Sequence, residues 1–229
     1  WAFIVLCGVL HFVYWVFLTR SLEAGDLSLV YPIMRSSPAL VLLFSVIVLK
    51  EDVSLKGATG ILLVALGSYT INLQRLSWDH LLRPLLSVSR DRAIRFAVLT
   101  LFSVAAYSIA DKAAVEHIHP VIFAYLYPWL SLALYSGYLG RQKTWREIKG
   151  EWLANRKVIL VCGVLAVFGY FLILVAFTID RVSYIVGLRQ VSIVFAVALG
   201  GFGLKEKHRT IRFLSAGIIF GGSLLIASG

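Results

Sequence analysis

Long apolar runs separated by short polar connections divide the chain from end to end. A membrane-crossing helix needs about 20 predominantly apolar residues. On that measure the pattern predicts spans over 1–19, 27–49, 55–73, 94–112, 119–139, 157–179, 182–204 and 210–228. The runs far exceed the short alternating segments of a membrane β-barrel, so each is predicted to be helical, with its backbone polar groups satisfied internally. Composition strengthens the picture. Of 229 residues 59% are apolar and 15% charged, with a mean hydropathy of +0.85, and so few charges cannot cover the surface of a water-soluble domain of this kind. The expected fold is an all-α polytopic membrane protein with eight spans in this chain.

Two of the runs break the rule of apolar uniformity. Asp26–Glu51 carries Pro32, Arg35 and Pro38 inside its span, and Arg181–Glu206 carries Arg189 and Gln190 at nearly the same depth. Sliding the chain against itself by 155 residues aligns 1–74 with 156–229 without a gap. Cys7-Gly8-Val9-Leu10 then meets Cys162-Gly163-Val164-Leu165, Leu49-Lys50-Glu51 meets Leu204-Lys205-Glu206, and Gly67-Ser68 meets Gly222-Ser223. A self-match at a fixed offset is the mark of an internal repeat. Five crossings separate the first span from its counterpart, an odd number, so the two copies are predicted to be inverted, as in many secondary transporters. The fourth and fifth spans lack earlier partners, so two further helices are expected before Trp1, giving ten helices in two inverted five-helix repeats. Residues 1–74 are then the last three helices of the first repeat, 75–93 a basic amphipathic connector, and 94–229 the second repeat.

The formal charge of +10 changes less than its size suggests, because Lys and Arg fall almost wholly in connections. Nucleic acid is therefore not an expected partner. Arg20, the Arg75–Arg95 group, the Arg141–Lys157 group and Lys205–Arg212 share one face, against Lys50, Lys56, Lys112 and Arg181 on the other. The positive-inside rule puts the first set in the cytoplasm and Gly229 outside. Arg141–Lys157 is expected to be a basic loop anchored at the interface by Trp145 and Trp152. Cys7 and Cys162 lie in apolar spans and are expected to be packing residues.

Charged side chains within a span are costly and mark pathways and binding sites. Arg35 stands four residues after Tyr31, on the same helical face, between two prolines that leave backbone carbonyls without donors. Its planar fork suits a carboxylate or phosphate; an internal salt bridge is the alternative. Arg189 and Gln190 are the counterpart candidates. His11, with Tyr14 and Trp15 one turn on, is the candidate for a coupling proton, or else a histidine bonded between helices. Asp111 and Lys112 are expected to close the fourth span at the interface, with a binding or gating role as the alternative. Tyr125, Tyr127, Pro128 and Trp129 of the fifth span are expected either to pack plainly between helices or to offer a cavity wall, and no acid is expected deep in a span. Glycines of the third and eighth spans, including the Gly217–Gly221 step, predict close packing of those two helices. No metal ligand set or cofactor motif is seen, and no G-x-x-x-x-G-K-[ST] loop for ATP.

With these features the chain resembles the EamA-like branch of the drug/metabolite transporter superfamily. The likeness rests on the two spans ending in Leu-Lys-Glu, the Gly-marked spans Gly57–Leu73 and Phe213–Ser228 that follow them, and Tyr107–Pro120 with Lys112 before a proline-initiated helix. The resemblance implies a ten-helix permease around a central cavity, with both termini cytoplasmic, which differs from the charge-based topology. The expected function is a secondary transporter of a small polar metabolite, an amino acid or another carboxylate-bearing compound, by alternating access. It would act as a monomer or homodimer in the lipid bilayer, expected to be a bacterial inner membrane. The alternatives are a membrane enzyme acting on a lipid-linked substrate, disfavoured by the lack of H-E-x-x-H, G-x-S-x-G or paired carboxylates in a span, and a non-transporting subunit.

Overall fold

A computed structural model describes residues 1–25, 27–71, 90–203 and 209–229. The expected connector 75–93, apart from its last residues, and the second Leu-Lys-Glu stop lie outside them. The described residues form helices joined by short turns, with no strand among them. In chain order these are α1 (Ala2–Ala24), α2 (Leu27–Arg35), α3 (Ser37–Phe44) running into a π-helical turn (Ser45–Leu49), α4 (Leu55–Thr70), α5 (Arg92–Val115), α6 (Pro120–Gly140), α7 (Trp145–Ile179), α8 (Val182–Leu188), α9 (Val191–Gly203) and α10 (Arg209–Ala227). Ala2–Ala24, Val30–Leu49, Arg92–Val115, Trp145–Ile179 and Thr210–Ala227 are long and apolar enough to cross a membrane. The other expected spans correspond to α4, α6 and the α8–α9 pair. The protein is an all-helical, multi-pass membrane protein.

Two compact units are distinguished by their internal contacts: Trp1–Val13 with Ala110–Asp180, and Tyr14–Ile109 with Arg181–Gly229. In the second unit α4 and α10 pack antiparallel at backbone contact. A Cβ on Gly60 would meet the Gly222 carbonyl oxygen at 2.6 Å, and one on Gly67 would meet the Ser215 carbonyl oxygen at 2.9 Å. Likewise Gly222 faces Val64 and Gly67 faces Ile219. Residues 60 and 215, 64 and 219, and 67 and 222 are equivalents at the 155-residue offset, so each contact has its twin with the helices exchanged. Ile61, Val64, Ile219 and Ile226 fill the seam around these glycines and are fully or almost fully buried. The predicted packing of the two helices is present, but Gly217 and Gly221 have nothing within 4 Å. The face in use carries Ser215, Ile219, Gly222 and Ile226, on the other side of the helix.

The two polar spans are both broken helices. Pro38 removes the amide that would continue α2 and its ring crowds the preceding turn, so the chain turns at Ser36 (φ −78°, ψ 7°) before α3 begins with Pro38 in its first turn. No proline breaks the counterpart. There the chain tightens into three-residue bonds, Gln190 N–H to the Gly187 carbonyl and Ile193 N–H to the Gln190 carbonyl, between α8 and α9. Glu51 then ties the end of one broken span to the start of the other. Its carboxylate accepts from the amides of Val182 (2.6 Å) and Ser183 (3.4 Å) and from the Ser183 hydroxyl (2.8 Å), satisfying the orphan donors and complementing the dipole at the start of α8.

In the first unit the expected basic loop Arg141–Lys157 is largely helix. Thr144 and Glu147 form a reciprocal capping box, and α7 runs 35 residues from Trp145 with non-helical angles only at Asn155 (φ −122°, ψ 15°). The cap outcompetes the loop because two otherwise unpaired amides are satisfied at once. The Thr144 backbone amide and hydroxyl both donate to the Glu147 carboxylate, at 2.7 and 2.8 Å. Cys7 is buried, whereas Cys162 is exposed on α7, so only the first is a packing thiol.

Candidate functional site

The expected residues gather into two groups, one in each unit. In the second unit a cavity of about 280 Å³ opens at the broken helices and is lined by Tyr14, Tyr31, Arg35, Tyr107, Arg189 and Gln190. That is close to the lower end of ligand-sized clefts, ~300 Å³, and suits a small solute. Arg35 is placed by the interruption after α2, which brings its guanidinium over the Tyr31 ring at 4.9 Å, the cation–π pairing that the four-residue spacing makes possible. Its Nη1 donates to Gln190 Oε1 at 3.4 Å. These two residues are 155 apart, so the side chains at equivalent positions of the two broken helices meet each other.

Gln190 is completely buried, and its Nε2 amide has no hydrogen-bond partner. A buried amide donor without an acceptor costs about 1–3 kcal/mol. Next to Arg35 it is a second donor at a site already rich in positive charge from Arg189. Tyr14 packs edge-on against Tyr107 at 5.3 Å. Tyr107, which is 4% exposed, and Thr100 on the same helix were missed by the sequence reading. A hydroxyl-bearing residue at three- or four-residue spacing along α5 was the signal available. A second cavity, of about 180 Å³, is also lined by Tyr31 and Arg35, together with Ser192 and Arg212. Arg35 and Tyr31 thus border both spaces.

In the first unit His11 and Asp111 meet, with Nε2 3.5 Å from Oδ2. Asp111 does not close its span at the interface as expected, because α5 continues a further turn to Val115 and the carboxylate is fully buried. The expectation that no acid lies deep in a span is therefore corrected. Tyr170 of α7 donates its hydroxyl to Oδ2 at 2.5 Å, and Tyr127 of α6 lies 4.6 Å from the His11 ring. Tyr170 was not singled out from the sequence, although a tyrosine in the middle of an apolar run was visible there.

Three expected site residues stand elsewhere. Tyr125 and Trp129 are 66% and 57% exposed and meet edge-on; the buried aromatics of α6 are Phe123 and Tyr127, on the other side of the helix. The Lys112 ammonium donates to the carbonyls of Phe177 (2.6 Å) and Asp180 (3.2 Å) and pairs with Glu116 at 3.5 Å. It is a cap for the end of α7, where a cation is favoured by the dipole, and its donors are committed to that role.

The comparisons with known proteins agree with the architecture. The sequence model of the EamA-like transporter family matches residues 1–73 and 91–228, nearly the whole chain. No curated protein matches it.

Proposed function

Since the chain belongs to the EamA-like transporter family, whose members are transporters of the drug/metabolite superfamily, we propose that it carries a small carboxylate-bearing metabolite, an amino acid or a close relative, by alternating access. The observation that carries the reading is the pair Arg35–Gln190. A guanidinium and an unsatisfied buried amide converge at the interruptions of two discontinuous helices, beside a cavity of small-solute size. Arg35 offers two parallel donors to a carboxylate, and Gln190 Nε2 offers a third.

The inverted repeat belongs to the same proposal. Twin contacts between α4 and α10, and the meeting of Arg35 with its equivalent Gln190, are what a two-fold axis through the second unit produces. Sites at discontinuous helices near such an axis are the common plan of repeat-built carriers. Tyr31 and Arg35 border both cavities, so a movement of either side chain joins or separates the two spaces. On this reading Arg35 both binds the solute and gates its exit, in the inner membrane of a bacterial cell.

Flux of a radiolabelled amino-acid mixture into proteoliposomes tests the proposal. Arg35→Ala is expected to cut uptake at least tenfold, the loss of a charge-assisted interaction of about 1.5–3 kcal/mol, with the protein still folded and inserted. Uptake equal to the unaltered protein's would remove Arg35 from the site.

A further inference from the structure

The buried His11–Asp111 pair is a second chemical site, outside the arginine cavity. The His11 Nδ1 lies 2.9 Å from the Cys7 carbonyl oxygen. A carbonyl only accepts, so Nδ1 carries the hydrogen and the neutral ring presents a lone pair at Nε2. That lone pair faces Asp111 Oδ2 at 3.5 Å. With Asp111 ionised and His11 neutral, two acceptors oppose each other and a carboxylate is buried without a counter-charge, the arrangement that desolvation penalises most. One added proton removes the conflict. On Nε2 it makes an imidazolium–carboxylate pair; on Asp111 it makes a neutral acid donating to a neutral ring.

The surroundings hold the pair without cancelling its charge. Tyr170 donates to Oδ2 from α7, and the Cys7 thiol of α1 stands beside the carboxylate. Tyr127 of α6 packs against the His11 ring, and Oδ1 is buried with no N–H or O–H donor in reach. Lys112, next in the chain to Asp111, is turned away to the end of α7.

We propose that His11 and Asp111 share one exchangeable proton, taken up from one side of the membrane and released to the other, and that this proton couples solute movement to a proton gradient. The proposal rests on the transport reading for its coupling but not for its chemistry. The proton enters and leaves as such, with no covalent step; the cluster changes by one unit of charge inside a low-dielectric core. Such a change biases any conformational equilibrium in which the pair is differently hydrated.

Two measurements on the full chain in liposomes separate the ideas. Infrared difference spectra across a pH titration are expected to show a protonated-carboxyl band that disappears in Asp111→Asn. Its midpoint should move in His11→Gln and Tyr170→Phe, the latter being the mildest change should Asp111→Asn fail to fold. A band unchanged in Asp111→Asn, or a midpoint unmoved in both other variants, overturns the shared proton. With the radiolabelled amino-acid mixture, an inside-alkaline or inside-acid gradient should drive accumulation above equilibrium in the unaltered protein. In His11→Gln it should drive none, so that inside and outside concentrations equalise. Gradient-driven accumulation preserved in His11→Gln overturns the coupling. If the unaltered protein moves no label while the band titrates as expected, the amino-acid reading fails and the proton site stands.

Discussion

Arg35 and Lys112 make opposite uses of a cation in an apolar span. Arg35 meets a neutral amide at 3.4 Å and an aromatic face, so its charge is oriented but not neutralised by those partners. Lys112 spends its donors on the carbonyls that end α7 and on Glu116. The consequence is separable by mutation. Lys112→Met leaves those carbonyls without their cap and is expected to cost about 1.5–3 kcal/mol of stability, read as a lower midpoint of thermal unfolding, while solute-induced stabilisation persists. Arg35→Lys keeps the charge but loses the planar fork and is expected to bind the solute at least tenfold more weakly with little change in stability. A Lys112 variant that lost solute binding with an unchanged unfolding midpoint would reverse the two assignments.

At the scale of elements, the helices themselves were legible because apolar run length is a direct record of bilayer thickness. The interruptions were half legible. Pro38 announces the break after α2, but nothing of that kind precedes Gln190, where the break is held by three-residue backbone bonds and by Glu51 at the start of α8. The Asp111–Lys112 pair was misread because adjacent opposite charges resemble a helix end. What decides their fates is the rotation of about 100° between neighbours on a helix, which sends one into the core and the other to the end of α7. Glycine count likewise flagged the α4–α10 seam without revealing which glycines lie in it. Gly222→Val is expected to force α4 and α10 apart, since even a Cβ would sit 2.6 Å from the Gly60 carbonyl oxygen. Overpacking of this kind costs roughly 1–3 kcal/mol. Gly221→Val, facing open space, is the control, and equal unfolding midpoints for the two would contradict the seam.

For the whole molecule, the family assignment and the helical architecture fix a multi-pass carrier, and the charge asymmetry of its connections makes a claim about sidedness. The turn at Arg141–Lys143 is basic and exposed, and the turn at Glu116–His119 contains no Lys or Arg. The positive-inside rule places the first in the cytoplasm. In whole cells, Gln142→Cys should resist a membrane-impermeant thiol reagent that labels His117→Cys; the reverse pattern would invert the topology. Sidedness does not alter the central claim, that the broken helices present Arg35 and Gln190 to a carboxylate. The most direct test is a thermal-shift comparison of amino acids and organic acids with their carboxamide analogues. A ligand at a hundred times its Kd stabilises the folded state by about 2.7 kcal/mol. The account predicts that at least one carboxylate raises the unfolding midpoint, that its amide does not, and that Arg35→Ala abolishes the shift. An amide as stabilising as its acid, or a shift that survives in Arg35→Ala, would contradict it.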